Sequence, residues 1–183
     1  EATLASVLKE TGIIPARLEL EVTESEVMKH HEAEACPLGP LRALGVKIAI
    51  DDFGTGYSSL SRLKHLPIDR LKIDQSFVRD LETDSGAQAI SSCIVGMGVA
   101  MGLEVIAEGV ETLEQLQQLH AQGCHLIQGY LIGRPMRPDV FLEWALGRAR
   151  SGPRAAATGE QGAALPPASN APETLEGVRR ALA

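Results

Sequence analysis

Short apolar segments with a polar residue at or near their carboxyl end recur five times along this 183-residue chain. Sequence that can form a helix follows most of them, so each segment has the pattern of a short strand in an alternating protein. The five segments are Arg17–Val22, Val46–Ile50 with the following Asp51, Arg70–Asp74, Leu103–Glu108 and His125–Gln128. This recurrence predicts an α/β fold.

The spacing of the polar residues favours a (β/α)8 barrel. Glu21, Asp51, Lys72, Glu108 and Gln128 follow one another at intervals of 20 to 36 positions. A barrel of about 250 residues allots about 31 residues to each strand–helix unit and gathers its catalytic groups at the carboxyl ends of its strands. Because alternate side chains of a barrel strand point inward, Glu21 and Lys72 are predicted to face the centre.

The adjacent acids Asp51 and Asp52 follow the second apolar segment and open a loop that contains Gly54 and Gly56. Two carboxylates about 4 Å apart repel by about 4 kcal/mol at the effective dielectric constant of a protein surface. A divalent cation commonly offsets such repulsion. A solvated turn rich in Asp and Gly is the alternative that this segment alone leaves open.

Five motifs resemble the successive signatures of the EAL domain family, which hydrolyses the bacterial second messenger cyclic di-GMP. They occur in the order of the family and at compatible spacing within residues 1–150: Glu21–Ser25, Asp51–Leu60, Leu71–Asp74, Ala107–Thr112 and Gln128–Leu131 followed by Arg134–Pro135. The resemblance implies a partial TIM-like (β/α)8 barrel with about five of the eight strands. It also implies hydrolysis of cyclic di-GMP to linear pGpG by a two-metal mechanism that uses Mg²⁺ or Mn²⁺.

Metal ligands and catalytic residues follow from the same resemblance. Glu21, Asp51, Asp52 and Glu108 match metal ligands of the family, with Asp51 as the bridging acid, and their hard oxygens suit Mg²⁺ or Mn²⁺ better than Zn²⁺. The predicted catalytic residues are Lys72, Asp51 and Glu108. Lys72 would orient the attacking water and oppose charge on the phosphate. An ion pair that holds the barrel layers together is the alternative role for Lys72.

Four further residues have supporting roles in the family pattern. Gln128 matches a residue that hydrogen-bonds metal-bound water, and Glu24 matches one that anchors the loop 52–59. Glu111 and Arg134 are weaker candidates for the site, and Glu111 could simply cap the helix that follows it.

Two family features have no counterpart in this sequence. The family is named after a Glu-Ala-Leu motif on its first barrel strand, and an Asn ligand lies on a strand before the one that carries Glu21. The chain begins with Glu1-Ala2-Thr3-Leu4 instead, so we expect it to enter at the helix before Glu21 and to be inactive by itself. The alternatives are a non-catalytic EAL-like module that binds cyclic di-GMP or a protein, and an unrelated metal-dependent barrel enzyme.

Composition narrows the partners and the compartment. A net charge of −7 argues against the basic patch of a protein that binds polymeric nucleic acid. Cys36, Cys93 and Cys124 form no Cys-x-x-Cys pair and are predicted to be buried free thiols in the reducing cytoplasm. No stretch is apolar and long enough to cross a bilayer. The resemblance adds cyclic di-GMP, an EAL homodimer, and sensor or GGDEF domains of a parent protein that could be membrane-tethered.

The barrel portion is predicted to cover residues 1–150. Residues 151–183 are rich in Ala, Gly and Pro and are predicted to be a disordered tail. The sequence Lys29–Glu32 contains two adjacent histidines, which point in different directions on a helix, so a solvated face is favoured there over a metal site.

Overall fold

The computed structural model describes residues 2–28, 36, 38–56 and 60–151. Within this part of the chain, five parallel strands form one sheet in the order β1-β2-β3-β4-β5. The strands are β1 Glu19–Thr23, β2 Lys47–Phe53, β3 Arg70–Ile73, β4 Glu104–Ala107 and β5 Leu126–Ile127. Each predicted strand is therefore present, in the predicted order, and the chain folds as part of an α/β barrel.

Helices connect and flank these strands. They are α1 Ala2–Thr11, α2 Glu24–Met28, α3 Leu38–Ala43, α4 Leu60–Leu63, α5 Gln75–Arg79, α6 Ser85–Ala100, α7 Leu113–Ala121 and α8 Pro138–Ser151, with a 3₁₀ turn at Pro15–Arg17. The start of α6 is fixed by Asp84, whose side chain accepts a hydrogen bond from the backbone N–H of Gly86 at 2.8 Å. Helix α7 begins at a capping box formed by Thr112 and Gln115.

The second strand is longer than predicted. It continues through Asp51 and Asp52 to Phe53, so the two acids lie near the carboxyl end of the strand. The pairing of β2 with β3 shifts between Ile50 and Phe53, and Asp52 has a φ of 53°. A bulge of this kind turns a side chain away from the regular alternation of a strand.

The apolar core lies between the sheet and the outer helices. Leu71 and Ile73 on β3 are fully buried, whereas Lys72 between them points to the opposite face, as the alternation predicts. Helix α6 contacts β4 so closely that a Cβ atom at Gly98 would lie 2.2 Å from Cγ2 of Val105. The packing of α6 on β4 therefore requires glycine at position 98.

The sheet is open in the part of the chain that the structure describes. Strands β1 and β5 each pair with one neighbour. The described part of α1 buries no residue, and α8 exposes large apolar side chains, among them Phe141 and Leu142 at 52% and 58%. Such faces and edges are normally covered in a closed barrel.

Two predictions concern segments that the structure does not describe. Lys29–Glu32 lies outside the described residues, and so does the predicted tail except for its first residue. Ser151 is the last residue of α8, so the helix extends one residue beyond the predicted boundary of the barrel portion.

Candidate active site

Three carboxylates from different strands meet at the ammonium group of Lys72. Its Nζ lies 2.7 Å from Oε1 of Glu108, 2.8 Å from Oε2 of Glu21 and 3.0 Å from Oδ1 of Asp51. Glu21 is on β1, Asp51 on β2 and Lys72 on β3, and Glu108 directly follows β4. The structure thus brings together four of the residues that the sequence marked, at the carboxyl ends of neighbouring parallel strands.

The ammonium group is shielded from water, and Lys72 as a whole is only 4% exposed. Burial lowers the pKa of Lys72, but the hydrogen bonds to Glu108, Glu21 and Asp51 outweigh burial and hold this pKa well above its ordinary value. Lys72 is therefore charged. Burial raises the pKa of Glu108, and the negative charges of Asp51 and Glu21 add to that effect, although Lys72 opposes it.

Asp52 is held in a different environment from its neighbour. Its backbone N–H donates to Oδ1 of Asp51 at 3.0 Å, and its left-handed φ of 53° is uncommon for a residue other than glycine. Partial burial raises the pKa of Asp52, and so do the charges of Asp51 and Asp74 and a hydrogen bond with Asp74. Asp52 therefore lies beside a second acid as well as beside Asp51.

Asp74 is a residue of this site to which the sequence analysis gave no role. Its Oδ1 caps α5 by accepting a hydrogen bond from the backbone N–H of Ser76 at 2.9 Å. Burial raises the pKa of Asp74, but the hydrogen bonds from Ser76 outweigh it and the pKa is lowered. The Asp-x-Ser spacing at the start of a helical segment was a signal that could have identified this cap.

Glu24 contacts the loop that follows β2. Its side chain is almost fully buried, and Oε2 accepts a hydrogen bond from the backbone N–H of Gly54 at 2.9 Å. A Cβ atom at Gly56 would lie 2.8 Å from Oε1 of Glu24, so the loop passes close to this carboxylate. These contacts agree with the anchoring role expected for Glu24, although residues 57–59 of the loop lie outside the described part.

An open cleft of about 270 Å³ extends from the carboxylate cluster, and Glu108 is part of its lining. Gln128 and Glu111 line it too, so two further predicted residues lie next to the cluster. Arg134 reaches the rim, because its guanidinium carbon lies 4.3 Å above the ring centroid of Tyr130, another lining residue. The cleft is an extension of the same site.

Gln75, which no motif in the sequence suggested, lines the cleft directly beside Gly109. The suggestion that Glu111 caps α7 is wrong, because the side chain of Thr112 is the cap and the backbone N–H of Glu111 donates to the Gln115 side chain at 2.8 Å. No simple pattern in the sequence identifies Gln75, since its position depends on how α5 meets the end of β4.

The donor atoms of the cluster fit a hard divalent cation. Glu21, Asp51, Asp52 and Glu108 supply carboxylate oxygens, the donors that Mg²⁺ and Mn²⁺ prefer. Among the described residues, however, no group of three acidic, Cys or His side chains has the spacing of a ready-made metal site. The carboxylate oxygens of Glu21, Asp51 and Glu108 lie 2.7–3.0 Å from Nζ of Lys72, which are hydrogen-bond distances. Mg²⁺ binds its oxygen ligands at about 2.0–2.1 Å.

Comparison with known proteins shows the family of this chain. A family model described as the EAL domain matches residues 1–135. The chain belongs to the EAL domain family. A relative in Pseudomonas aeruginosa, the bifunctional diguanylate cyclase/cyclic di-GMP phosphodiesterase MucR, is 46% identical over 140 residues, which are 76% of this chain and 20% of that protein.

Solved EAL structures share the fold. The MucR phosphodiesterase in complex with cyclic di-GMP matches with a TM-score of 0.74 and 46% identity over 76% of this chain and 57% of that one. Klebsiella pneumoniae BlrP1, solved with manganese and cyclic di-GMP, matches with a TM-score of 0.67 and 41% identity over 73% of this chain and 34% of that one. This chain thus corresponds to part of an EAL domain, a TIM-barrel fold.

None of the helices in residues 2–28, 38–56 and 60–151 combines the length and the apolar character needed to cross a bilayer.

Proposed function

We propose that this EAL chain is part of a phosphodiesterase that opens one phosphodiester bond of cyclic di-GMP and releases linear pGpG. The observation that carries the proposal is the convergence of Glu21, Asp51 and Glu108 on the buried Lys72. Three acids gathered around one cation at the strand ends of a barrel form a site that can bind a phosphodiester only with added positive charge.

Divalent cations would supply that charge. We propose that Glu21, Asp51, Asp52 and Glu108 hold two Mg²⁺ or Mn²⁺ ions, with Asp51 shared between them. Such ions, when bound, provide a nucleophilic water near neutral pH and stabilise the leaving oxygen.

The remaining side chains are proposed to contact the attacking water, the substrate or the loop after β2. Lys72 would donate to the attacking water and to the phosphate oxygen on which negative charge increases. Gln128 beside Glu108 would hydrogen-bond the attacking water, and Glu111 and Arg134 would contact substrate in the adjoining cleft. Glu24 would hold the loop after β2 in place through Gly54.

The 183 residues alone are proposed to be catalytically inactive. The Glu-Ala-Leu motif and the Asn of the family supply metal ligands from strands that are not among the five described. Loss of outer-shell support alone typically costs about 10–100-fold in metal affinity or activity, and loss of direct ligands costs more. The same five strands could still bind cyclic di-GMP or a protein without hydrolysis, which is the second candidate function.

The cellular setting is proposed from the same reasoning. Cys36, Cys93 and Cys124 are free thiols, which fit a cytoplasmic protein, although the prediction that all three are buried is wrong, because Cys93 is exposed and Cys36 is half-buried. Cyclic di-GMP is the proposed ligand, and a second EAL chain and linked sensor or GGDEF domains are the proposed partners. We divide the chain into a barrel portion, residues 1–150, and a tail, residues 151–183, that is proposed to be disordered.

Conversion of cyclic di-GMP to pGpG in Mg²⁺ or Mn²⁺ tests the function. It is measured on the 183-residue chain and on a completed protein, in which this chain is joined to the strands of the MucR phosphodiesterase domain that the structural match leaves uncovered. We expect hydrolysis by the completed protein alone. There, Lys72→Ala should sharply lower turnover and leave binding in Ca²⁺ largely intact, while Lys47→Ala, on the same sheet, should do neither.

Two outcomes would change the conclusion. A completed protein that binds cyclic di-GMP tightly and never hydrolyses it supports the non-catalytic module. A completed protein that neither binds nor hydrolyses cyclic di-GMP refutes hydrolysis and binding of the dinucleotide, and leaves binding of a protein as the remaining candidate function.

A further inference from the structure

The ammonium group of Lys72 has no donor to spare in this structure. A lysine carries three N–H donors, and three carboxylate oxygens, from Glu108, Glu21 and Asp51, lie within 3.0 Å of Nζ. Each donor is therefore matched by one carboxylate. In this arrangement Lys72 cannot also donate to a water molecule or to a phosphate oxygen.

The position of this ammonium group is fixed by the fold. Lys72 lies on the strand β3 between Leu71 and Ile73, whose side chains are fully buried on the opposite face. The backbone of β3 is paired on both sides, with β2 and with β4. The cation is therefore built into the sheet, and its partners converge on it from both neighbouring sides.

The three acids need a nearby cation even when no metal is bound. Carboxylates that share one small site repel each other, and the repulsion is stronger for Glu108, whose side chain is 18% exposed, than for Glu21, whose side chain is 48% exposed. Burial of a charge without a partner is costly, so removal of one partner from such a cluster is far more damaging than removal of an exposed charge. The oxygens that satisfy Lys72 are also those that a divalent cation would bind.

We propose that Lys72 is the built-in counter-ion of this site, and that its ammonium group and a divalent cation bind the carboxylates of Glu21, Asp51 and Glu108 in alternation. Lys72 keeps the acids together when no metal is bound. Metal loading takes carboxylate oxygens from Lys72 and so frees its N–H groups. The competition rests on the metal binding of the proposed function, and the action of these groups on water or phosphate rests on the proposed hydrolysis as well.

The competition distinguishes this role from that of an ordinary structural ion pair. A structural pair stabilises the protein equally with and without metal. A competing counter-ion stabilises the metal-free protein and weakens metal binding, because metal must displace it. Replacement of Lys72 by a neutral side chain of similar length should therefore lower metal-free stability and raise metal affinity together.

The test is Mn²⁺ binding, followed by the electron paramagnetic resonance signal of free Mn²⁺, in the full chain and in the completed protein. The variants are Lys72→Met and the control Lys47→Met, which removes the same charge from β2 near Glu104. We expect Lys72→Met to bind Mn²⁺ about tenfold more tightly, as for mutually exclusive ligands. In the completed protein, the melting temperature of Lys72→Met should be lower without metal, and should rise more with Mn²⁺, than that of the unaltered protein.

Each result decides the proposal. Unchanged or weaker Mn²⁺ binding by Lys72→Met overturns it. So does the absence of Mn²⁺ binding from both the 183-residue chain and the completed protein, with and without the substitutions. An equal loss of stability with and without Mn²⁺ shows a purely structural pair and also overturns it. A Lys72→Met variant that folds only with Mn²⁺ supports it. Cyclic di-GMP hydrolysis is scored separately, so either proposal can fail alone.

Discussion

Replacement of Gly98 by alanine tests the packing of α6 on β4, which positions Glu108 directly after β4. Gly98 lies in α6 and faces β4, where a new Cβ atom would be 2.2 Å from Cγ2 of Val105. Carbon atoms pack at about 3.5–4.0 Å, so helix and strand must separate by more than an ångström or Val105 must leave its rotamer. Overpacking of this kind costs about 1–3 kcal/mol.

The matched control is Gly96→Ala in the same helix. A Cβ atom there meets nothing within 4 Å, and alanine is a better helix former than glycine by about 0.8–1 kcal/mol. The two substitutions make the same chemical change in one helix, yet they should shift stability in opposite directions. Urea unfolding of the completed protein, followed by circular dichroism, measures both effects.

Val105→Ala provides the second arm of a double-mutant cycle. It removes the methyl group that collides with position 98, so Gly98→Ala should cost much less when Val105 is alanine. Because Glu108 follows β4 directly, Gly98→Ala alone should also weaken Mn²⁺ binding, and the double variant should recover part of it. Additive losses in the cycle, or Gly98→Ala as stable as Gly96→Ala, would refute the reasoning.

Three further predictions concern the edges, the metal and pH. The 183-residue chain alone should aggregate or unfold without a sharp cooperative transition, because β1 and β5 expose unpaired edges in the described part of the chain. Calorimetry with light scattering measures this, and sharp melting of a monomer would contradict it. In the completed protein, Asp51→Asn should remove most of the rise in melting temperature caused by Mg²⁺ or Mn²⁺, since it removes the shared ligand; a rise equal to that of the unaltered protein counts against the site. Burial raises the pKa of Asp69, but hydrogen bonds from Arg42 and from the backbone N–H of Ile48 outweigh burial and lower this pKa. Asp69 therefore stabilises the fold above its unfolded pKa, and this stability is lost as pH falls through the folded pKa. Asp69→Asn should therefore flatten the loss of urea stability below about pH 4, and equal slopes for both proteins would contradict this.

Much of the fold could be predicted from the sequence because its signals are local. Each strand is a short apolar run, and its place in the chain follows from the run and the helical sequence after it. The inward direction of Glu21 and Lys72 also follows from local alternation, which has a period of two in any strand. The boundaries were less certain, and β2 extends three residues beyond the predicted end at Ile50.

The errors and omissions share one physical cause. Asp52 leaves the regular alternation because β2 bulges where it pairs with β3, and that pairing involves a second strand. Gln75 joins the site because α5 starts beside the end of β4. The positions of Asp52 and Gln75 are not encoded in the neighbouring residues alone, so no local pattern predicts them, whereas Asp74 has the local signal of its helix cap.

The sequence by itself determined the order of the strands and the kinds of side chain at their ends, since these depend on the chemistry of adjacent residues. The tertiary structure alone decided that Glu21, Asp51 and Glu108 meet at one ammonium group, and at distances suited to hydrogen bonds. It also decided that α6 approaches β4 closely enough to require Gly98. Contacts between residues far apart in the chain depend on the register and packing of whole strands and helices, which many residues set together.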